Sequence, residues 1–160
     1  FPKREPEAML YKAKATGNYL NSMLALTDAL KSGFDEALIL GSDDSVNEGS
    51  GENFFIVKNN KLITPDLITV LDGITRKTVI DLAKDLNIQT EERKVKTQEV
   101  FDCDEAFFTG TAAEVTPIIQ VNEHPISNGK PGSITKKLQN SYFDLIHGKI
   151  SKYNNWLSLV

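Results

Sequence analysis

The sequence is poor in thiols and metal ligands: its 160 residues include one cysteine and two histidines. Cys103 alone cannot form an internal disulfide or a cysteine-based zinc site. We therefore expect no metal centre, and a reducing compartment such as the cytoplasm. His124 precedes a proline and His147 ends a predicted helix, so neither suggests catalysis.

Long apolar stretches and an excess of basic charge are also absent. The longest uninterrupted apolar runs have four residues, for example 37–40 and 54–57, whereas a membrane-spanning helix needs about 20. Lys and Arg number 18 against 22 Asp and Glu, for a net charge of −4 at pH 7. Since nucleic acids attract clustered positive charge, we expect neither a nucleic-acid partner nor a membrane.

The composition is that of a folded domain. Apolar residues make up 40% of the chain and charged residues 25%, which excludes intrinsic disorder. The first residues include neither an initiator methionine nor an apolar signal region. Pro2 and Pro6 bracket a charged stretch without hydrophobic pattern. We therefore expect residues 1–13 to be the remnant of an interdomain connection and residues 14–160 to form one domain of a longer polypeptide.

Hydrophobic periodicity predicts helices at residues 19–32, after Asp72-Gly73, and at 133–147. Strands are predicted at 37–40, 53–58, 61–64, 88–95, 104–109 and 115–121. Between the second and third strands, Asn59-Asn60 indicates a two-residue hairpin turn, because asparagine tolerates positive φ. This order of elements favours an α+β domain over a strict βαβ array.

Two segments contain side chains suited to proton or amine chemistry. In KATGNY, Lys14 stands beside small residues that leave room for a bulky adduct, and Tyr19 offers a phenol. Taken alone, a surface lysine before a helix is the simpler interpretation. In VNEGSGEN, two glycines within a strand pattern indicate a bulge, or a close backbone approach to a ligand or another strand. Glu48 lies between apolar segments there, and a partly buried carboxylate needs a partner.

Two further segments could bind anions. LDGITR, residues 71–76, places backbone N–H groups and Thr75 at a helix start, where the amides and the helix dipole favour negative charge. Simple capping by Asp72 is the alternative. FTGTAAEVTP, residues 108–117, leads from a strand into a turn whose amides, with the hydroxyl of Thr111, could bind a second anionic group. A tight turn without a ligand is the alternative.

Together and in this order, these segments resemble one family, the fold-type IV pyridoxal-phosphate aminotransferases, and within it the branched-chain amino acid aminotransferases. The matching stretches are KATGNYLNSMLA, NEGSGENFFIV, LDGITRKTVIDLAKDL, DEAFFTGTAAEVTP and the terminal NNWL. The resemblance runs over residues 14–156. It implies the larger, C-terminal domain of the D-amino acid aminotransferase-like fold, a mixed-strand pseudo-barrel with flanking helices, without the N-terminal domain of that family.

The resemblance also implies roles for residues at the family's motif positions. Lys14 matches the lysine that binds pyridoxal 5′-phosphate covalently and transfers a proton; Lys12 is its competitor. Glu48 matches the carboxylate that keeps the ring nitrogen protonated, and Tyr19 matches the phenol on the ring oxygen O3′. Leu71 matches a residue that packs against the ring.

The remaining implied contacts involve the anionic groups of cofactor and substrate. Ile74 and Thr75 match the phosphate-binding helix start, and Thr111 matches a further phosphate contact. The turn amides of Thr111 and Ala112 match the donors to the substrate carboxylate.

The activity implied by the resemblance is transamination of leucine, isoleucine or valine with 2-oxoglutarate, in a homo-oligomeric protein. A D-amino acid aminotransferase or an aminodeoxychorismate lyase would keep Lys14 and Glu48 and change the substrate. Both usually differ from this sequence at the segments GNY and GTAAEVTP. A third possibility is a cofactor-binding fragment that is poorly active without the N-terminal domain.

Overall fold

The computed structural model describes residues 12–158. Within this range the helices are α1 (Leu20–Lys31), α2 (Ile74–Asp85), α3 (Thr97–Asp102) and α4 (Ser133–Ile146). The strands there are β1 (Ile39–Leu40), β2 (Ser45–Glu48), β3 (Asn53–Lys58), β4 (Lys61–Thr64), β5 (Thr90–Glu92), β6 (Val95–Lys96), β7 (Glu105–Gly110), β8 (Glu114–Ile118), β9 (Gln120–Val121) and β10 (His124–Pro125). Short 3-10 turns occupy Thr16–Tyr19 and Ser151–Trp156. The lead-in expected at residues 1–13 lies almost wholly outside the described residues.

Strand β3 is the centre of an eight-stranded sheet. It pairs with β7 along one edge and with β2 and β4 along the other. The sheet continues from β7 to β8, from β4 to β5, and from β2 to β1 and β6. Every pairing in this sheet is antiparallel except that of β4 with β5. A mainly antiparallel sheet with separate helices confirms the predicted α+β class.

The β3–β4 hairpin forms where the sequence predicts it. Asn59 and Asn60 have φ angles of 50° and 60°, as a two-residue turn with positive φ at both positions requires. The turn aligns Lys58 with Lys61 and Ile56 with Ile63. The hairpin prediction is therefore confirmed to the residue.

Alternation along β3 divides the core between the two faces of the sheet. Phe55 and Val57 point to the face covered by α2 and α4, and the ring of Phe55 stacks on Phe107 of β7 at 4.9 Å between centroids. Phe54 and Ile56 point to the other face, in a second cluster with residues of β2, β6 and α3. Both faces are buried, which explains the unbroken apolar run in this strand.

The predicted strand at residues 88–95 is wrong as a single element. It is divided into β5, which pairs with β4, and β6, which pairs with β2. The chain must turn at Arg93 to pass between these neighbours, and the Arg93 guanidinium bonds Glu99 at 2.7 Å. The short helix α3, which the pattern did not predict, follows at once. Glu99 also accepts the Lys96 N–H at 2.9 Å, an N-terminal cap.

The predicted strand at residues 115–121 is likewise divided. It forms β8, which pairs with β7, and β9, which turns away to pair with β10. Nothing in the hydrophobic pattern distinguishes one seven-residue strand from these two, because the division depends on which neighbour each half meets.

Helix α1 is confirmed, but its apolar face is not covered by the described residues. The apolar side chains whose spacing predicts the helix are Leu20, Met23, Leu24 and Leu30, and each is more than half exposed. Ala25 is the helix's one buried residue. None of the helices within residues 12–158 is long and apolar enough to cross a membrane.

A buried carboxylate ties α4 to the sheet. Glu105, at the start of β7, accepts hydrogen bonds from the N–H groups of Ile134 and Thr135 at 3.0 and 2.7 Å, and from the Thr135 hydroxyl at 2.7 Å. A negative charge at a helix N-terminus is favourable, because the first amides have no intrahelical acceptor. A Cβ on Gly132 would overlap this carboxylate, so only glycine fits there.

We expect the substitution Glu105→Ala to lower the free energy of unfolding by about 2–3 kcal/mol, because it leaves buried helix amides without an acceptor. Urea denaturation of the protein containing this chain measures the change. Glu123→Ala, at an exposed position, is the control and should cause less than about 0.5 kcal/mol. Equal losses in both variants would contradict the anchoring role of Glu105.

Candidate active site

The candidate site lies at one edge of the sheet, where three distant segments meet. In register across this edge, Glu48 of β2 opposes Asn53 of β3, Asn53 opposes Thr109 of β7, and Thr109 opposes Val115 of β8. The turn between β2 and β3 and the turn between β7 and β8 therefore emerge side by side. This pairing brings the NEGSGEN and TGTAAEV segments together, although more than fifty residues separate them.

A surface pocket opens beside this edge. It is lined by Ala13, Lys14, Asn18, Tyr19, Asn21, Ser22, Ile39, Glu48, Ser50, Gly51, Glu52, Asn53 and Leu71. The pocket thus contains four residues singled out in the sequence, namely Lys14, Tyr19, Glu48 and Leu71. An amine, a phenol and a carboxylate line one concave surface, a combination suited to proton transfer.

Lys14 lies in a loop that is closed by Asn18. The side-chain amide of Asn18 donates a hydrogen bond to the carbonyl of Ala13 at 2.9 Å, and its backbone N–H donates to that of Ala15 at 3.0 Å. These two acceptors flank Lys14 on either side. The 3-10 turn Thr16–Tyr19 then continues into α1 and brings Tyr19 to the same pocket.

Glu48 ends strand β2 and is joined to the segment that precedes α2. Its Oε2 accepts the backbone N–H of Leu71 at 3.3 Å. The side-chain amide of Asn53 donates to the Leu71 carbonyl at 2.9 Å. Leu71 is therefore bonded at both its amide and its carbonyl to residues of the sheet edge, which aligns the start of α2 with the pocket.

The N-terminus of α2 has the features of an anion-binding site. Its N-cap is Gly73, which supplies no side-chain hydrogen bond. Capping by Asp72, the alternative considered from the sequence, is therefore not observed. Among residues 12–158 the amides of Ile74 and Thr75 have no hydrogen-bond acceptor. Free amides at a helix start attract negative charge.

Four of the candidate residues lie outside the pocket lining. The side chain of Ile74 is 84% exposed and that of Thr75 is buried; both follow Gly73, whose neighbour Asn53 lines the pocket. Thr111 and Ala112 are exposed in the β7–β8 turn. Gly110, at the start of that turn, lies against Gly51 and Glu52 of the pocket wall. All four therefore border the pocket without lining it.

Sequence reasoning missed Asn18, Glu52 and Asn53 as residues of the site. Asn18 and Asn53 act through hydrogen bonds to backbone groups of other segments, which no spacing in the sequence reveals. From the sequence alone, Glu52 is an ordinary strand-edge charge. In the structure it lines the pocket, and burial, together with Glu36 and Glu48, raises its pKa to about 7.

The single cysteine is not a candidate nucleophile. Cys103 is buried against the sheet, and its thiol donates to the carbonyl of Val100 at 3.1 Å. Burial, assisted by the negative charge of Asp104, raises the pKa of the Cys103 thiol to about 11. Because the thiolate is the reactive form, this residue stays inert at neutral pH.

Comparison with known proteins identifies the class to which this fold and site belong. The model of the amino-transferase class IV family matches residues 2–121. That range covers the pocket, the start of α2 and the β7–β8 turn. The chain belongs to this family.

Within the family the chain is similar to branched-chain aminotransferases. It is 51% identical to a probable branched-chain-amino-acid aminotransferase of Aquifex aeolicus, over 92% of this chain and 48% of that protein. The structure of a Thermoproteus uzoniensis branched-chain aminotransferase with norvaline superposes with a TM-score of 0.93 at 45% identity, over 97% of this chain and 52% of that one.

A second solved structure is similar over the same region. A T.th. branched-chain amino acid aminotransferase complexed with N-(5'-phosphopyridoxyl)-L-glutamate has a TM-score of 0.94 at 39% identity, over 99% of this chain and 53% of that one. The chain spans about half the length of the relatives it matches. The predicted membership of the branched-chain group of fold-type IV proteins is thereby confirmed at the level of fold and homology.

We expect Gly73→Ala to lower the free energy of unfolding by about 1–3 kcal/mol, because the added Cβ would overlap Oδ1 of the buried Asn53. Asn53 can move only by giving up its bond to Leu71. The control is Gly51→Ala, another glycine of this edge whose added Cβ meets nothing within 4 Å. Thermal unfolding compares the two, and an equal effect would argue against close packing at the helix start.

Proposed function

We propose that the complete protein containing this chain transfers the amino group between leucine, isoleucine or valine and 2-oxoglutarate, with pyridoxal 5′-phosphate as cofactor. The observation that carries this proposal is that Lys14, Tyr19 and Glu48 line one and the same pocket. The names of the relatives support the branched-chain substrates. The norvaline and phosphopyridoxyl-glutamate complexes of similar proteins support an apolar side chain, glutamate as amino donor, and this cofactor.

The residues of this chain fit the proposed cofactor in three respects. A lysine amine is available for a covalent bond to the aldehyde, and a carboxylate lines the same pocket for the ring nitrogen. Beside the pocket, the free amides of Ile74 and Thr75 suit a phosphate dianion. An amine, a carboxylate and an anion-binding helix start are the groups that this cofactor needs.

Each residue of the pocket would then have a defined task. When bound, pyridoxal phosphate supplies an aldehyde for amines and a ring that accepts electrons from the substrate Cα. Lys14 Nζ would bind the aldehyde and, once displaced by the substrate amine, would carry the proton at Cα. Glu48 would keep the ring nitrogen protonated. Tyr19 would donate a hydrogen bond to the ring oxygen O3′, and Leu71 would pack against the ring.

The anionic groups would be bound at the two turns beside the pocket. The phosphate would accept hydrogen bonds from the amides of Ile74 and Thr75 and from the hydroxyl of Thr111. The substrate carboxylate would accept from the amides of Thr111 and Ala112. Both contacts use amides at a helix start or in a turn for which residues 12–158 provide no acceptor.

The setting of the chain is part of the same proposal. We propose that residues 14–160 form the C-terminal, cofactor-binding domain and that an N-terminal domain completes the substrate pocket. The pocket described here is open to water, so the chain alone should be poorly active, because positioning and water exclusion both contribute to such reactions. We further propose a cytoplasmic homo-oligomer that binds neither nucleic acid nor membranes.

A D-amino acid aminotransferase or an aminodeoxychorismate lyase is the second candidate, because either would use the same Lys14 and Glu48. The assay is product analysis of the complete protein with L-leucine, D-alanine and aminodeoxychorismate. We expect conversion of L-leucine with 2-oxoglutarate. Turnover of one of the other two compounds alone would contradict the branched-chain proposal.

We expect borohydride reduction of the cofactor-loaded protein to attach the pyridoxyl group to Lys14 Nζ, since Lys14 lines the pocket. Mass spectrometry of the peptides locates the label. It should persist in Lys12→Ala and vanish in Lys14→Ala. Labelling of Lys12 in the unmodified protein would overturn the assignment of every site residue, because all are aligned relative to Lys14.

We expect Glu48→Gln to reduce the transamination rate on the order of 10²-fold or more while the cofactor stays bound. The neutral amide has nearly the same shape but cannot stabilise a protonated ring nitrogen. Steady-state kinetics and the cofactor absorbance measure the two effects separately. Glu123→Gln, at an exposed position, should leave both unchanged. A Glu48→Gln protein with a normal rate would exclude the proposed role.

A further inference from the structure

The wall of the pocket includes a loop that is bonded to two carboxyl groups. This loop, residues 49–52, joins β2 to β3. Glu36 lies before β1, and its Oε1 accepts the N–H groups of Ala37 at 2.7 Å and Ser50 at 3.2 Å. Glu52 Oε2 accepts the N–H of Gly51 at 3.0 Å. The two side chains therefore act on consecutive amides of one turn.

Glu52 is half-buried and packs closely against glycines of two turns. A Cβ on Gly49 would lie 2.7 Å from Glu52 Oε2 and 2.9 Å from the ring of Phe108. A Cβ on Gly110, in the adjacent β7–β8 turn, would lie 3.5 Å from Glu52 Cγ. The side chain of Glu52 thus lies between two glycine-containing turns, and its partial burial there disfavours the charged carboxylate.

Glu36 also raises the pKa of Glu52, through the contact between the two side chains and through its negative charge. A hydrogen bond between two carboxyl groups requires one proton between them, because two ionised carboxylates have no proton to donate. Among the described residues, the charged groups that act on Glu52 are Glu36 and Glu48 of β2, and Lys14 lines the same pocket. Burial raises the pKa of Glu52 to about 7, with a smaller contribution from each of the two other carboxylates.

We propose that Glu52 and Glu36 share one proton and form a positioning pair that fixes the loop 49–52 as a wall of the pocket. The pair also removes one negative charge from beside Glu48. The part of the proposal that concerns catalysis rests on the cofactor role proposed for Glu48. The shared proton and the fixed loop do not depend on that role.

The sign of the pH dependence follows from the raised pKa. The carboxyl group of Glu52 binds a proton more tightly in the folded than in the unfolded chain, whose ordinary value is 4.5. The stabilisation is complete below that value and is lost as the pH rises through about 7. Above about pH 7 Glu52 is charged, and its partial burial and the nearby Glu36 and Glu48 disfavour that form.

The decisive variant is Glu52→Gln, which has the shape of the protonated residue and keeps a donor for Glu36. Denaturation of the cofactor-loaded complete protein is measured at several pH values for this variant and the unmodified protein. The unfolding equilibrium constant of the unmodified protein, divided by that of the variant, should rise with pH between the unfolded-state pKa of 4.5 and the folded-state pKa of about 7. The expected rise is up to about tenfold per pH unit, and it is smaller where solvent screens the pair. Parallel pH profiles of the two proteins would overturn the proposal.

An infrared measurement gives a second test, whose main observation is made on the unmodified protein. The unmodified protein should show the carbonyl band of a protonated carboxyl group near neutral pH, and the band should disappear as the pH is raised through about 7. It should be absent in Glu52→Gln and unchanged in Glu123→Gln, whose side chain is exposed. Absence of the band from the unmodified protein at pH values below the transition would contradict the shared proton.

The effect on catalysis separates this inference from the proposed function. If the proposed function and the carboxyl pair are both correct, kcat/KM of the unmodified protein changes as Glu52 ionises. Glu52→Gln should then remove that one transition from the pH profile of kcat/KM. Borohydride reduction should still label Lys14 in this variant. If the unfolding and infrared results hold but Lys14 is never labelled, the cofactor proposal fails and the carboxyl pair stands. A pH profile unchanged by Glu52→Gln in a protein labelled at Lys14 would refute its role in positioning.

Discussion

The candidate site depends on how strand β3 is paired at its first residue. Asn53 is opposed by Glu48 on one side and by Thr109 on the other, and its side-chain amide bonds the carbonyl of Leu71. One buried asparagine is thus connected to β2, β7 and the segment before α2. Since the turns at this edge and the start of α2 are positioned through these bonds, the convergence of the functional segments is a property of the sheet, not of the pocket side chains.

Much of the fold could be predicted from the sequence because its signals are local. Asn59 and Asn60 specify the hairpin turn by their tolerance of positive φ, and the periodicity of α2 and α4 is strong. The prediction was wrong at residues 88–95 and 115–121, where two consecutive half-strands pair with different neighbours. Pairing is a non-local choice, which hydrophobic alternation does not encode.

The residues of the candidate site show the same contrast between local signals, which the sequence reveals, and contacts between distant segments, which it does not. Lys14, Tyr19 and Glu48, which line the pocket, could be predicted as candidates because they stand within motifs that resemble a known family. Asn53 and Glu52 were missed because their importance comes from contacts across the chain. The exposed apolar face of α1 shows a related limit: Leu20 and Met23 follow the helical period, but the described residues do not bury them. Periodicity therefore indicates which face is apolar without saying what covers it.

The central claim is that the sheet edge brings Lys14, Glu48 and the start of α2 to a single cofactor molecule. A crystal structure of the complete protein grown with pyridoxal 5′-phosphate tests it most directly. The account predicts one cofactor with Lys14 Nζ bonded to its aldehyde carbon, Glu48 at its ring nitrogen, and its phosphate at the amides of Ile74 and Thr75. A cofactor bound away from this edge, or one whose phosphate contacts neither amide, would contradict the account.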